Sequence, residues 1–238
     1  MVKSRLSWIW IFFTLIFCLL PTTGRADTHT VTCKGKAYRY ELYAPQAVTP
    51  LPAILLLHGA GDSPDAMMRA WFDLAKKEGI AIIAPELPRS VEFEEIAPRV
   101  FRCVVEDAKA SVSLDTKRLY VFGNSMGGYL AYDAAAFDSD YFAAVGVHAM
   151  GISPEYDSIL DKAVRKTPIA IYTGDRDPLV PLTNVRRTRD LLLKKGFPVQ
   201  YMEIAGHAHN YYEVREKVNK DVWNFFRSHT LQQSGANK

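Results

Sequence analysis

The stretch Gly123-Asn124-Ser125-Met126-Gly127-Gly128 constrains the fold of this chain more than any other. Before it runs Arg118-Leu119-Tyr120-Val121-Phe122, mostly apolar and rich in strand formers. After it, Tyr129 to Ala136 is dominated by alanine and leucine and reads as helix. A strand must therefore turn sharply into a helix, with one serine at the bend. Small residues two before and two after that serine let the backbone take a strained turn and let helix and strand pass closely. Such a turn lifts the Ser125 hydroxyl above the strand end. It also aims the Met126 N–H, at the positively polarised start of the helix, toward the place where an oxyanion would form. A bare G-x-S-x-G occurs by chance in many proteins, so the other segments decide how much it means.

Those segments read as an α/β alternation. Residues 28–43 alternate polar and apolar around Lys34-Gly35-Lys36, the pattern of an antiparallel hairpin. Ala53-Ile54-Leu55-Leu56-Leu57 is a continuous apolar run, as in a strand buried on both faces, and it ends in His58-Gly59-Ala60-Gly61. Helical spacing over 64–77 closes at Gly79, and a short strand over 80–84 stops at Pro85. A polar loop from 88 leads into a helix with Val100, Phe101, Val104, Val105 and Ala108 on its inner face. Strands are expected at 143–147, 169–172 and 199–204, and helices at 185–195 and 211–226, with a frayed tail from 232. Strands alternating with helices imply a mainly parallel central sheet with helices on both faces. The loops at the carboxyl ends of its strands should carry the site. Only about twenty residues separate the strands at 143–147 and 169–172, so no large cap domain fits; at most one helix, 159–165, has room there.

Residues 1–26 differ from the rest. Lys3 and Arg5 precede an uncharged run from Trp8 to Leu20, followed by Pro21 and the small-residue exit Gly24-Arg25-Ala26. That layout predicts a secretory signal peptide cleaved after Ala26, leaving 27–238 as a single domain in a secreted or periplasmic protein. The run falls short of the roughly 20 residues needed to span a bilayer, so no stable membrane insertion is expected after cleavage. The formal net charge of +3 resides entirely in Lys3, Arg5 and Arg25 of that segment. A neutral remainder offers no basic footprint for nucleic acid. Cys33 and Cys103 are the cysteines left after cleavage. An oxidising compartment permits their pairing, but spacing alone leaves it open.

A serine hydroxyl is a weak nucleophile at neutral pH and needs a base within hydrogen-bond reach, itself oriented by an acid. Asp175 and Asp177 follow the strand at 169–172, and His207 and His209 follow the strand at 199–204. Asp177 precedes Pro178, in a loop that turns back toward the sheet, and is preferred. Asp175 suits a turn cap. Two histidines two residues apart cannot both face Ser125, so one is the base and the other lines the mouth. A His-x-His pair also suits a metal, yet no second cluster accompanies it, and no metal is expected. The Ala60 N–H, freed by flanking glycines, would pair with that of Met126 as an oxyanion hole. Trp71, Phe72, Tyr129, His148 and Tyr211 are candidates for the pocket lining.

Asp115 to Tyr129 resembles the D-x-x-R-[IL]-Y-[VL]-x-G-x-S-M-G-G stretch of secreted α/β-hydrolase esterases, the group of feruloyl and acetylxylan esterases and polyhydroxybutyrate depolymerases. The resemblance extends over about residues 28–228. It implies an α/β-hydrolase fold and cofactor-free hydrolysis of carboxylic esters, on small-molecule or carbohydrate-linked substrates. It also implies Ser125 as nucleophile, Asp177 as acid, and Met126 and Ala60 as oxyanion donors. Gly206-His207-Ala208-His209-Asn210-Tyr211-Tyr212 is similar to the G-Y-D-H-S-Y-Y loop of S-formylglutathione hydrolases, which puts the base in register with His209. The alternatives are a prolyl-oligopeptidase-type serine peptidase and a non-catalytic binding protein on a hydrolase scaffold.

Overall fold

The computed structural model describes residues 26–87 and 99–231. Residues 1–25 of the expected signal segment, the polar loop over 88–98 and the tail from 232 lie outside the described residues. An antiparallel hairpin, β1 (Asp27–Cys33) and β2 (Lys36–Tyr43), forms where the alternation predicts it, turning through Lys34 and Gly35 at positive φ. It continues one edge of an eight-stranded sheet. The other strands are β3 (Leu51–Leu57), β4 (Ala81–Pro85), β5 (Leu114–Asn124), β6 (Ala144–His148), β7 (Ile169–Gly174) and β8 (Val199–Ile204). Their order is β1-β2-β4-β3-β5-β6-β7-β8, antiparallel as far as β4 and parallel beyond it.

The apolar runs pack in two directions, as the period of two requires. Ile54 and Leu56 face one side with Tyr120 and Phe122, against Trp71, Val218, Val222 and Phe226 of helices α1 (Pro64–Glu78) and α6 (Tyr211–Arg227). Leu55 and Leu57 face the other with Val121, Val145 and Ile171. There they meet Val104 of α2 (Val100–Ser111), Leu130 of α3 (Met126–Phe137) and Val185 of α5 (Leu182–Lys194). Helix α1 starts at Pro64 behind Ser63, whose hydroxyl accepts from the Ala66 N–H, and stops at Gly79 in the left-handed region. Cys33 and Cys103 form a disulfide tying β1 to α2.

One element differs from the sequence expectation. Instead of a helix over 159–165, a 3₁₀ turn at Pro154–Tyr156 leads into the single-turn α4 (Asp157–Leu160). The cause is Ser139. Its hydroxyl takes the Val164 N–H at 3.0 Å and the Arg165 N–H at 3.4 Å, while the Arg165 guanidinium turns back to the carbonyls of Ser139 (2.9 Å) and Phe142 (2.6 Å). These partners hold the segment to the end of α3 and take the amides a longer helix would use. Among the described residues, no helix is long and apolar enough to cross a membrane.

Candidate active site

Ser125 occupies the turn between β5 and α3 with φ 50° and ψ −118°, a conformation costly for an L-residue. Backbone bonds over-determine it. The Ser125 N–H donates to the His148 carbonyl at 2.9 Å, and the Ser125 carbonyl accepts from Gly128 at 2.8 Å and Tyr129 at 3.2 Å. A Cβ on Gly123 would stand 2.0 Å from the Gly127 carbonyl oxygen, and one on Gly127 would stand 2.1 Å from that of Leu57. Both positions must be bare for β3, β5 and α3 to approach this closely. Met126 is the first residue of α3, so its N–H has no acceptor within the helix.

Two loops from the far half of the sheet meet the serine. His209, in the loop after β8, places Nε2 2.9 Å from the Ser125 oxygen and Nδ1 2.7 Å from Asp177 Oδ2. Asp177, in the loop after β7, has a side chain with no exposed surface, whereas that of His209 is 20% exposed. The other carboxylate oxygen, Oδ1, accepts the N–H groups of Leu179 and Val180, both at 2.9 Å. The carboxylate is thus fixed by the turn that Pro178 begins. With Asp177 ionised, Nδ1 carries the proton and Nε2 accepts from the serine hydroxyl.

The other members of each candidate pair take different places. Asp175 Oδ1 accepts the Gly206 N–H at 2.7 Å, and the Arg176 N–H donates to the His207 carbonyl at 3.0 Å; together they fasten the β7 loop to the β8 loop. His207 does not line the mouth as expected. It is buried, with its ring 5.7 Å from that of His148 and its Nδ1 3.8 Å from Glu213. Its main chain is held at both groups, its N–H on the Ile204 carbonyl at 3.2 Å and its carbonyl under the Arg176 N–H at 3.0 Å. Trp71, His148 and Tyr211 are likewise core rather than lining; Phe72 and Tyr129 are partly buried.

Three residues named from the sequence take a bracing role that no local signal indicates. His58 donates through Nδ1 to the Gly59 carbonyl at 2.8 Å and accepts the Leu87 N–H on Nε2 at 3.0 Å, which fixes its tautomer and the path of the Gly59-Ala60 peptide. Burial is the main cause of its lowered pKa. His148, at the end of β6, donates through Nδ1 to Asn124 Oδ1 at 2.9 Å, directly beneath the elbow. Burial first, and then the neighbouring His207 and His209, push its pKa down to about 3, so it stays neutral. Asn124 is held in turn, close to Gly59. Each depends on contacts across the sheet that no sequence window contains. A hollow of about 450 Å³ between α1 and α6, lined by Leu74, Asn219 and Trp223 among others, touches none of the candidate site residues.

Comparison with known proteins bears on the family and the fold. The bifunctional acetylxylan esterase/xylanase XynS20E of Neocallimastix patriciarum is 27% identical over 158 residues, 62% of this chain and 22% of that protein. NocK of Nocardia uniformis subsp. tsuyamanensis, to which an esterase activity is ascribed, is 32% identical over 173 residues, 63% of this chain and 48% of its own length. This chain therefore spans less than half the length of either relative. The structure of S-formylglutathione hydrolase FrmB from Staphylococcus aureus superposes with a TM-score of 0.70 at 19% identity, covering 85% of this chain and 96% of that one. The CE1 ferulic acid esterase of Anaeromyces mucronatus gives 0.66 at 15% identity, covering 87% and 91%. At such identities the likeness carries the α/β-hydrolase fold alone. The dienelactone hydrolase family profile matches residues 41–229, most of the chain, and the protein belongs to that α/β-hydrolase family.

Proposed function

We propose that the chain is a serine esterase cleaving carboxylic esters through an acyl-enzyme. The observation that carries this reading is the continuous line of hydrogen bonds from the Ser125 oxygen through His209 to Asp177, at 2.9 and 2.7 Å. Ser125 Oγ attacks the ester carbonyl carbon as its proton passes to His209 Nε2, and Asp177 stabilises the imidazolium through Nδ1. The N–H groups of Met126 and Ala60 receive the oxyanion. The C–O bond to the alcohol then breaks, with the alkoxide taking the proton from Nε2. Water attacks the acyl-enzyme by the same steps, releasing the acid and restoring Ser125. This chemistry draws on side chains and backbone alone. Small-molecule or carbohydrate-linked esters are the substrates proposed, in keeping with the acetylxylan and ferulic acid activities named for relatives. Residues 1–26 serve as an export signal and 27–238 as one hydrolase domain, secreted or periplasmic.

Labelling with a fluorophosphonate probe and turnover of p-nitrophenyl acetate test the reading together. Wild type should label and turn over, while Ser125→Ala does neither, with kcat at least about 10⁴-fold lower. His209→Ala should lose a comparable factor, and His207→Ala should keep most turnover per folded molecule. A folded wild type that does not label would favour the binding-protein alternative. Cleavage of dipeptide anilides in preference to the ester would favour the peptidase.

A further inference from the structure

Asp62 lies two residues beyond Ala60, in a turn closed by its own N–H to the Gly59 carbonyl at 3.2 Å. Its Oδ1 accepts the Ser63 N–H at 2.8 Å, which locks the carboxylate to the start of α1. Tyr212 lies three residues beyond His209, in the first turn of α6. Its N–H donates to the side chain of Asn210, which caps that helix, and its ring packs edge-on against Tyr211 at 5.2 Å. The Tyr212 hydroxyl donates to Asp62 Oδ2 across 150 positions of sequence.

We infer that this bond is a latch holding the loop that carries the Ala60 N–H in register with the loop that carries His209, and that Asp62 and Tyr212 are positioning residues of the proposed reaction. The inference rests on the serine-esterase reading given above. Strand β3, which feeds the first loop, and β8, which feeds the second, are separated in the sheet by β5, β6 and β7, so no strand pairing sets their relative position. Helices α1 and α6 do pack side by side, with Asn219 Nδ2 2.8 Å from the Ala70 carbonyl, but Asn219 is two turns along α6 from Tyr212. Among the side-chain hydrogen bonds of the described residues, Tyr212 to Asp62 is the one that joins the 59–62 turn to the first turn of α6. The register matters because an oxyanion donor must sit about 2.7–3.1 Å from an oxygen that exists only after the base has acted. A misplacement of about 1 Å between the two costs rate rather than affinity. Burial and the facing Asp62 carboxylate both raise the pKa of the Tyr212 hydroxyl, so the donor keeps its proton wherever the enzyme works.

Tyr212→Phe, Asp62→Asn, Asp62→Ala and the double variant Asp62→Ala/Tyr212→Phe test the latch. In Tyr212→Phe, kcat for p-nitrophenyl acetate should fall about tenfold with KM unchanged, and the rate of fluorophosphonate labelling, which needs the same oxyanion donors, should fall by a similar factor. Asp62→Ala, which also loses the Ser63 N–H contact, should fall at least as far, and adding Tyr212→Phe to it should cost nothing further. Asp62→Asn should keep most activity, because its amide can donate to the tyrosine oxygen while its carbonyl retains the Ser63 N–H. Wild-type kcat in Tyr212→Phe, or losses that multiply in the double variant, would overturn the latch. If wild type is labelled and Tyr212→Phe is labelled at the same rate, the latch alone fails; if wild type is not labelled at all, the esterase reading fails first.

Discussion

Ser125 is held at φ 50°, where a non-glycine residue costs about 1–3 kcal/mol. The bond from its N–H to the His148 carbonyl helps to keep it there. The imidazole of the same residue has a shifted protonation equilibrium. Its folded pKa of about 3 lies below the ordinary 6.5. Above pH 6.5 the ring is neutral whether folded or not, and the shift has no effect on stability. Below that, the unfolded chain takes up a proton the folded chain refuses. Stability is then lost down to about pH 3, by up to about 1.4 kcal/mol per pH unit. Asp133 and Asp138, raised to about 6 chiefly by burial, act in the opposite sense: they add stability at low pH and lose it as pH rises through 6. Comparing wild type with His148→Gln isolates the histidine. In urea unfolding at pH 7.5, 5.5 and 4.5, the advantage of wild type over the variant should shrink with each step down. An advantage independent of pH would show that the imidazole does not titrate as stated.

The strand-turn-helix unit β5-Ser125-α3 is the element most dependent on missing side chains. In Gly127→Ala the new methyl would meet the Leu57 carbonyl at 2.1 Å, a backbone atom that cannot rotate away. Moving α3 off the sheet is the only relief. Destabilisation of about 3 kcal/mol or more is expected in urea unfolding, with turnover lost in whatever folds, since Ser125 moves with the helix. This unit was legible in sequence because its whole cause, small residues flanking a serine between a strand and a helix, lies within a dozen positions. The same holds for α1, whose cap and stop, Ser63-Pro64 and Gly79, are local signals. The 154–160 segment was not legible, because the residue that ends its helix early is Ser139, on the far side of β6 in sequence.

Across the molecule, the Cys33–Cys103 bridge closes a separation of 70 positions and joins β1 to α2, neither of which carries a site residue. Replacing both cysteines by serine should lower unfolding stability by up to about 4 kcal/mol. The kcat/KM for p-nitrophenyl acetate should change less than twofold. A large loss of activity in the folded variant would mean that the hairpin edge supports the site. By itself the sequence determined the alternation of strands and helices, the elbow, and the order serine, acid, histidine, because each is written in neighbouring residues through periodicity, glycine and turn chemistry. The residues alone preferred Asp177 and left two histidines open, with His209 favoured by resemblance; only the tertiary structure shows His209 bonded to both Ser125 and Asp177, Asp175 fastening two loops, His207 buried, and His58, Asn124 and His148 bracing the candidate site. Those outcomes depend on main-chain and side-chain bonds between strands far apart in the chain, and such distances are set by how the sheet packs.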